Sequence, residues 1–384
     1  MRQRLWISSQ CFESEIERVE DTVDGCIVKT LERRYFRLDP SSARLLRGLL
    51  ARDRLDISEP LDAQRARFLT DRLLPLGIFR LEGDARPAPP PTATRGAMRW
   101  QRQVLPARVV GRVAAVLARL TPPAVLLALL ALCVGMQAFY VAKMLPHVAY
   151  RDLIAIAPAD LAWLALFGAA RGLAHEFGHA TACWRLTGTV GGIGCGVFVI
   201  APVLWCDVSD VHLLSRRRKA IVGGAGTAAD MIVLAALVAC GGGAAIVAKL
   251  YALNLVAVAL NLLPLYRNDG YWIVNDLAGG RDLLRDAARA VVAGRARTSD
   301  WAWVAFAGLC IAAAAALALG FALRLGPRQL ADALRLLPES GGVMLLGVTL
   351  LQYAAVAFGA VSGGRAMARG WRALAGAMRP ATTA

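Results

Sequence analysis

The chain has 384 residues, of which 57% are hydrophobic and only 19% are charged, and its mean hydropathy is +0.48. This composition is too apolar for an ordinary soluble protein and predicts an integral membrane protein. A formal net charge of +16 would suit a nucleic-acid partner. The arginines cluster beside apolar segments, however, as they do in loops held on the cytoplasmic side of a membrane, so we expect no nucleic-acid binding.

Residues 1–83 have the character of a small soluble α+β domain. Short apolar runs alternate with polar residues, and a helix is predicted over 41–50, after the start signal Asp39-Pro40. A second helix is predicted over 63–74. The first twenty residues contain no apolar stretch of signal-peptide type, so the amino terminus is expected to stay in the cytoplasm.

Two short segments are predicted to connect this domain to the membrane part. Residues 84–97 form a Pro-rich linker, which favours an extended backbone. Residues 98–122 form a basic interfacial segment with an amphipathic pattern, which predicts contact with the lipid bilayer. The arginines suited to anionic headgroups are Arg102, Arg108, Arg112 and Arg119.

Six apolar stretches are long enough to cross a bilayer: 123–142, 161–184, 220–247, 250–265, 301–323 and 341–361. The arginine-rich segments at 216–219, 281–297 and 365–372 fall on the same side as the amino terminus, which the positive-inside rule makes cytoplasmic. We therefore expect a mainly α, multi-pass protein of the bacterial cytoplasmic membrane with both termini in the cytoplasm. Its core would span 123–290, followed by additional helices and a basic tail at 291–384.

The second predicted span carries the motif His175-Glu176-Phe-Gly-His179. On a helix, His175 and His179 lie one turn apart on the same face and can bind one metal ion, while Glu176 can accept a proton from the attacking water. The chain has only four histidines, so this spacing is informative. The alternative is a pair of histidines packed in a polar contact between helices.

A catalytic zinc takes three protein ligands and keeps one position open, so a third ligand is required. Glu339 and His212 are candidates but are poorly placed. Asp269 is favoured, because it lies at the inner end of an apolar span, after Pro264 breaks the helix, and charged residues at such depth are usually functional. The alternative for Asp269 is an ordinary turn residue in Asn-Asp-Gly.

The glycine-rich stretch 187–196, followed by an apolar run to Pro202, is too broken for a helix. Non-helical backbone at membrane depth persists only when protein or water surrounds it, so the pattern predicts a re-entrant hairpin near the metal site. The exposed edge of such a hairpin could hold a substrate in extended form. The alternative is a cytoplasmic loop with no role.

Two motifs together resemble the site-2 protease family of intramembrane zinc metallopeptidases: His175-Glu-Phe-Gly-His179 and Asn261-Leu-Leu-Pro264-Leu-Tyr-Arg-Asn-Asp269-Gly270. The resemblance covers about residues 120–290. It implies that His175, His179 and Asp269 bind Zn²⁺ and that Glu176 is the general base. It also implies that Asn261 and Pro264 shape the unwound segment that presents Asp269.

Further motifs resemble the branch of this family that carries an amino-terminal soluble domain and is associated with modified ribosomal peptides: Cys206-Asp-Val-Ser-Asp210, Leu214-x-x-Arg217 and Asp269-Gly-Tyr-Trp272. Residues 1–83 are similar to small winged-helix peptide-recognition domains, the alternative being a generic folded cap. The implied activity is cleavage of a leader peptide, with a peptide-modifying enzyme or an exporter as partner. Cleavage of a membrane-anchored regulator and a non-proteolytic, zinc-binding export accessory remain as alternatives.

One departure from the family concerns the third predicted span. Where the family often has Gly-Pro-x-x-Asn, this chain has Gly226-Thr-Ala-Ala-Asp230, and an ionised Asp cannot donate a hydrogen bond to an oxyanion. Arg171, one turn before His175, could supply positive charge instead. Arg171 and Asp230 would both be costly alone at mid-depth, so we expect an ion pair, the alternative being that either residue faces a water-filled cavity.

Overall fold

The computed structural model of the chain is mainly helical and divides into two compact units. The first unit comprises Met1–Gly96 together with Ser209–Ser215, and the second comprises Ala97–Val208 and Arg216–Ala384. The residues that the structure describes are 3–22, 25–84, 98–148, 158–198, 201–241, 244–264, 268–279, 282–320, 323, 326–335, 337, 346–347, 349–350 and 353. The linker at 85–97, most of the sixth predicted span and the basic tail therefore lie outside the described residues.

The first unit is an α+β domain. Its elements in chain order are β1 (Arg4–Ile7), β2 (Gln10–Ser14), β3 (Ile16–Thr22), β4 (Gly25–Thr30), β5 (Tyr35–Leu38), α1 (Pro40–Leu50), β6 (Arg54–Leu55), α2 (Pro60–Phe68), a π-helical turn (Leu69–Leu73) and β7 (Phe79–Leu81). One sheet has the order β6-β1-β2-β7, in which only the β1/β6 pair is parallel, and the other is the antiparallel sheet β3-β4-β5.

Helix α1 begins where the sequence predicts. The Asp39 side chain accepts hydrogen bonds from the amides of Ser41 and Ser42, and Pro40 occupies the first turn, where a missing N–H costs nothing. Hydrogen bonds from the hydroxyls of Ser41 and Ser42, together with those from the two amides, hold the pKa of Asp39 well below its usual range. The buried face of α1 (Ala43, Leu46 and Leu49) joins the core of the unit. The second predicted helix begins earlier than expected, at Pro60.

Residues 209–215, which fall inside the predicted membrane core, belong to the first unit. Their 3₁₀ turn, Ser209–Leu213, carries the fully buried Asp210. The carboxylate of Asp210 accepts a hydrogen bond from the hydroxyl of Tyr35 at 2.7 Å and forms ion pairs with Lys29 at 2.8 Å and Arg33 at 3.3 Å. Burial and this hydrogen bond raise the pKa of Tyr35. The turn is thus tied into the sheet that contains β4 and β5.

The second unit is built of helices and one small sheet. Its helices are α3 (Ala107–Leu120), α4 (Pro123–Phe139, continued by short turns to His147), α5 (Pro158–Thr187), α6 (Arg216–Gly241), α7 (Ala245–Leu262), α8 (Asp269–Ala278), α9 (Leu283–Val292), α10 (Thr298–Gly320) and α11 (Gly326–Arg335). Among the described residues, three helices are long and apolar enough to cross a membrane: Pro123–His147, Arg216–Gly241 and Ala245–Leu262. These three helices support the prediction that the chain is a membrane protein.

The boundaries of two predicted spans need correction. The sequence places a break near residues 248–249, between spans at 220–247 and 250–265, whereas α6 ends at Gly241 and α7 begins at Ala245. The physical reason is the glycine run that starts at Gly241, since glycine has a low helix propensity. The predicted spans at 161–184 and 301–323 are helices as well, α5 and α10. Their place in a membrane stays a prediction.

The sheet of the second unit has the antiparallel order β10-β9-β8, with strands β8 (Met98–Leu105), β9 (Ile193–Phe198) and β10 (Ala201–Cys206). Strands β9 and β10 form a hairpin in the predicted place, and its depth in a membrane stays a prediction. The contact of the predicted interfacial segment at 98–122 with lipid stays a prediction; within this segment Ala107–Leu120 is helical, and 98–105 is a strand paired with β9. Local periodicity does not show such a distant pairing.

Candidate metal centre

Three side chains from two helices meet at one point of the second unit. His175 and His179 lie one turn apart on α5, and Asp269 is the first residue of α8. Nε2 of His175 lies 3.1 Å from Nε2 of His179, and Oδ2 of Asp269 lies 2.9 Å and 3.1 Å from these two nitrogens. These three residues form the group among the described residues whose donor atoms are spaced for one metal ion.

Hydrogen bonds on the far side of each imidazole fix its tautomer. Nδ1 of His175 lies 2.8 Å from a carboxylate oxygen of Asp230, and Nδ1 of His179 lies 2.7 Å from the carbonyl of Val222. Both partners are acceptors, so each Nδ1 carries the proton and donates it. Nε2 is therefore the ring nitrogen that each imidazole presents toward the other one and toward Asp269, and in the neutral ring this atom carries the lone pair that can bind a metal ion.

This arrangement suits a divalent cation. If both rings are neutral, two imidazole lone pairs and one carboxylate oxygen face one another at about 3 Å, and a bound cation removes their mutual repulsion. Ligands held 2.0–2.1 Å from a tetrahedral zinc ion are roughly 3.3 Å apart, close to the observed separations. The set of two histidines and one carboxylate is also one that zinc accepts, with a fourth position left for water or substrate.

Two glycines make room for this group. A Cβ atom on Gly226 of α6 would overlap the Nε2 atoms of both His175 and His179, so only glycine leaves the space beside them free. A Cβ on Gly178 of α5 would overlap the carbonyl of Ala225, so this glycine lets α6 approach α5 closely. The sequence analysis missed the role of Gly226. The available signal was its spacing from Asp230, because residues four apart share one helix face.

Asp269 is held in place by the residues around the end of α7. The amide of Asn261 donates a hydrogen bond to Oδ2 of Asp269 at 2.8 Å, and the backbone N–H of Asp269 donates to Oδ1 of Asn261 at 3.4 Å. Pro264 follows the last residue of α7, Leu262, by two positions, where a proline cannot continue the helix. A Cβ on Gly270 would overlap the carbonyl of Leu262, so the chain needs glycine here to return so closely.

The ion pair expected between Arg171 and Asp230 is present. Nη1 of Arg171 donates to Oδ1 of Asp230 at 2.7 Å, and the Asp230 side chain is only 1% exposed. The other oxygen of Asp230 accepts the hydrogen bond from His175. One buried carboxylate therefore neutralises an arginine and orients an imidazole, and the sequence suggested only the first of these contacts.

The remaining candidates occupy different surroundings. Glu176 follows His175 on α5 and is half-buried. His212 belongs to the first unit, where its ring packs against that of Tyr35 with centroids 5.4 Å apart, and Glu339 lies outside the described residues. Of the three residues weighed as third ligand, Asp269 is the one that the described structure brings to the two histidines.

No protein-family model, no curated protein and no solved structure matches the chain. The function is therefore inferred from the geometry of the site. That geometry offers three preorganised acceptors for a cation, a half-buried carboxylate next to one of them on the same helix, and a buried ion pair behind one imidazole.

Proposed function

We propose that this protein is an intramembrane zinc metalloprotease that hydrolyses a peptide bond in or near the bilayer. One observation carries the proposal: Nε2 of His175 and Nε2 of His179 converge with the carboxylate of Asp269 within 2.9–3.1 Å. A divalent cation bound among these three atoms would have two imidazoles and one carboxylate as ligands, a set that zinc accepts.

In this proposal, the side chains of the site have separate roles. His175, His179 and Asp269 would hold the ion, and zinc, when bound, supplies polarisation of the substrate carbonyl and a water of lowered pKa. Glu176 accepts the proton of the attacking water and returns it to the leaving amine. Asp230 keeps His175 in the tautomer that leaves Nε2 free, a contact typical of histidines that bind zinc.

The proposed substrate is the leader region of a ribosomally made peptide, with residues 1–83 as its recognition domain. This choice rests on the resemblance to the branch of site-2 proteases that carries a soluble amino-terminal domain. We place the protein in the bacterial cytoplasmic membrane as a multi-pass protein with both termini in the cytoplasm. The three apolar helices and the arginine-rich loops support this placement.

Glu176→Gln tests the activity directly, because the substitution removes the base and leaves the ligands. We expect stoichiometric zinc by elemental analysis, and cleavage of a library of apolar-segment peptides slowed by about 10²–10⁴-fold in nanodiscs. Glu59→Gln, at an exposed position of the first unit, is the matched control and should cleave at the wild-type rate. Asp269→Ala should lose zinc and activity together.

Two outcomes would overturn the proposal. Cleavage by Glu176→Gln at the wild-type rate would show that Glu176 is not the general base. It would favour a zinc-binding export accessory, which needs the ligands but not Glu176. Full zinc occupancy in Asp269→Ala, with His212→Ala emptying the site, would show that the third ligand is wrong. If peptides that resemble membrane anchors are cleaved and leader peptides are not, the substrate is a membrane-anchored regulator.

A further inference from the structure

Helix α3 is held firmly against α5 along one of its faces. Val110, Ala114 and Ala118 are buried there. At the end of α3, the guanidinium of Arg185 from α5 donates hydrogen bonds to the carbonyls of Ala118 and Thr121. A basic side chain that binds the last carbonyls of a helix caps its otherwise unsatisfied groups. Helix α3 therefore has a fixed orientation.

A second face of α3 is apolar and exposed. Residues at the helical spacing of four, three and four form one stripe, with exposed fractions from 36% to 67%: Val109, Val113, Val116 and Leu120. The helix ends at Leu120, and the first candidate membrane helix begins at Pro123. Because so few residues separate the two, α3 lies at the membrane boundary, and its apolar stripe fits the acyl side of the interface.

A third face of α3 is basic. Arg108, Arg112 and Arg119 lie at i, i+4 and i+11, which places them within roughly 40° of one another around the helix. Arg108 and Arg112 are exposed, and neither side chain forms a hydrogen bond or an ion pair with any residue that the structure describes. Two positive charges one turn apart thus lack a counter-charge within the described protein.

These two arginines line a shallow cavity of about 400 Å³, open to the surface, between α3 and the turn that follows α5. Trp184, Gly188 and Thr189 form the opposite wall, and none of the described residues that line the cavity is acidic. Tryptophan is favoured at the level of lipid headgroups. The cavity is therefore basic and open, as a site for the headgroup of a lipid has to be.

We infer that this cavity binds the headgroup of an anionic phospholipid, whose phosphate pairs with Arg108 and Arg112. Arginine suits a phosphate because its planar guanidinium can donate two parallel hydrogen bonds. The apolar stripe holds α3 at the depth where such headgroups are found. The site lies apart from the metal centre and requires neither zinc nor protease activity.

The full-length protein in neutral detergent is titrated with phosphatidylglycerol or phosphatidylcholine, and bound lipid is counted by native mass spectrometry. Wild type should retain one phosphatidylglycerol in preference to phosphatidylcholine. Arg108→Gln/Arg112→Gln should weaken phosphatidylglycerol binding by roughly thirtyfold, the effect of removing two cations near an anionic lipid. The matched control is Arg285→Gln/Arg289→Gln, an exposed pair of the same spacing on α9, which should retain the lipid.

A second variant tests the same site independently, in case the double arginine variant misfolds. A Cβ on Gly111 meets only Val190, at 3.9 Å, so Gly111→Leu can place an apolar side chain in the cavity beside the two arginines without removing them. This variant should also lose the bound phosphatidylglycerol. Equal retention by wild type, Gly111→Leu and Arg108→Gln/Arg112→Gln would overturn the inference. Displacement of the lipid by an equal concentration of inorganic phosphate would assign the site to free phosphate instead.

Discussion

Two kinds of carboxylate cluster occur in the two units. In the first unit, Asp210 faces Lys29 and Arg33, and Asp62 lies 2.8 Å and 2.6 Å from the guanidiniums of Arg52 and Arg65. In the second unit, the partners of Asp269 among the described residues are two imidazole nitrogens and the amide of Asn261. The first clusters contain lysine or arginine, whereas neither residue type is among the described partners of Asp269.

This difference separates clusters that stabilise a fold from one that is suited to a ligand. A buried carboxylate with a permanent cation beside it is compensated, and nothing further has to bind. A carboxylate that faces two imidazole nitrogens offers, with them, a ligand set for a cation of external origin. Asp230 lies between these cases, because one oxygen meets Arg171 and the other meets His175.

The largest effect should come from filling the space beside the histidines. Gly226→Ala places a methyl group against Nε2 of both His175 and His179, so the variant should fall from stoichiometric zinc to background, with loss of cleavage. Gly224→Ala is the control on the same helix, since its Cβ would meet only Ile273, at 3.9 Å. Elemental analysis measures both variants. Normal zinc in Gly226→Ala would place the ion elsewhere.

Asp210→Ala should destabilise the first unit by about 1.5–3 kcal/mol, because Lys29, whose side chain is 4% exposed, loses its buried partner and, among the described residues, keeps only the partly exposed Glu17. Hydrogen exchange of peptides from β4 in the full-length protein measures this loss, and zinc content should not change. The control is Asp21→Ala, which removes an exposed ion pair with Arg47 and should cost less than about 1 kcal/mol. Equal hydrogen-exchange protection of β4 in Asp210→Ala and Asp21→Ala would show that the buried cluster contributes no more to stability than the exposed ion pair.

Asp230→Asn should weaken zinc binding by about 10–100-fold, because an amide no longer stabilises the orienting hydrogen bond to His175 as a carboxylate does. Competition with a chelator measures the affinity. The control is Asp210→Asn, which changes an equally buried carboxylate of the first unit and should leave the zinc affinity unchanged. If the two variants lose zinc to the same extent, the effect is general destabilisation and not orientation of the ligand.

The smallest effect concerns the coupling of Arg171 to Asp230. Each alanine variant leaves the other charge buried without its partner, so the double variant should be less damaging than the sum of the two by about 0.5–3 kcal/mol. Thermal unfolding of wild type, the two single variants and the double variant in detergent gives the coupling energy between the two residues. Additive losses would show that the 2.7 Å contact contributes no coupling.

Several features were predictable because they depend on neighbours in sequence. The cap of α1 follows from Asp39-Pro40, and the shared face of His175 and His179 follows from the helical period. The pair of Arg171 and Asp230 followed from the cost of an isolated charge among apolar residues. The strand at 98–105 and the assignment of residues 209–215 to the first unit were not predictable, since both depend on pairing with distant segments.

The sequence by itself determined the chemistry of the centre: two imidazoles and a glutamate on one helix, in a chain apolar enough for a membrane. Only the tertiary structure decided that Asp269, ninety positions after His179, lies 3.1 Å from it, and that Gly226 keeps the space beside both imidazoles free. The reason is physical. Helical spacing is set by local backbone geometry, whereas the meeting of α5, α6 and α8 depends on how closely their backbones can pack.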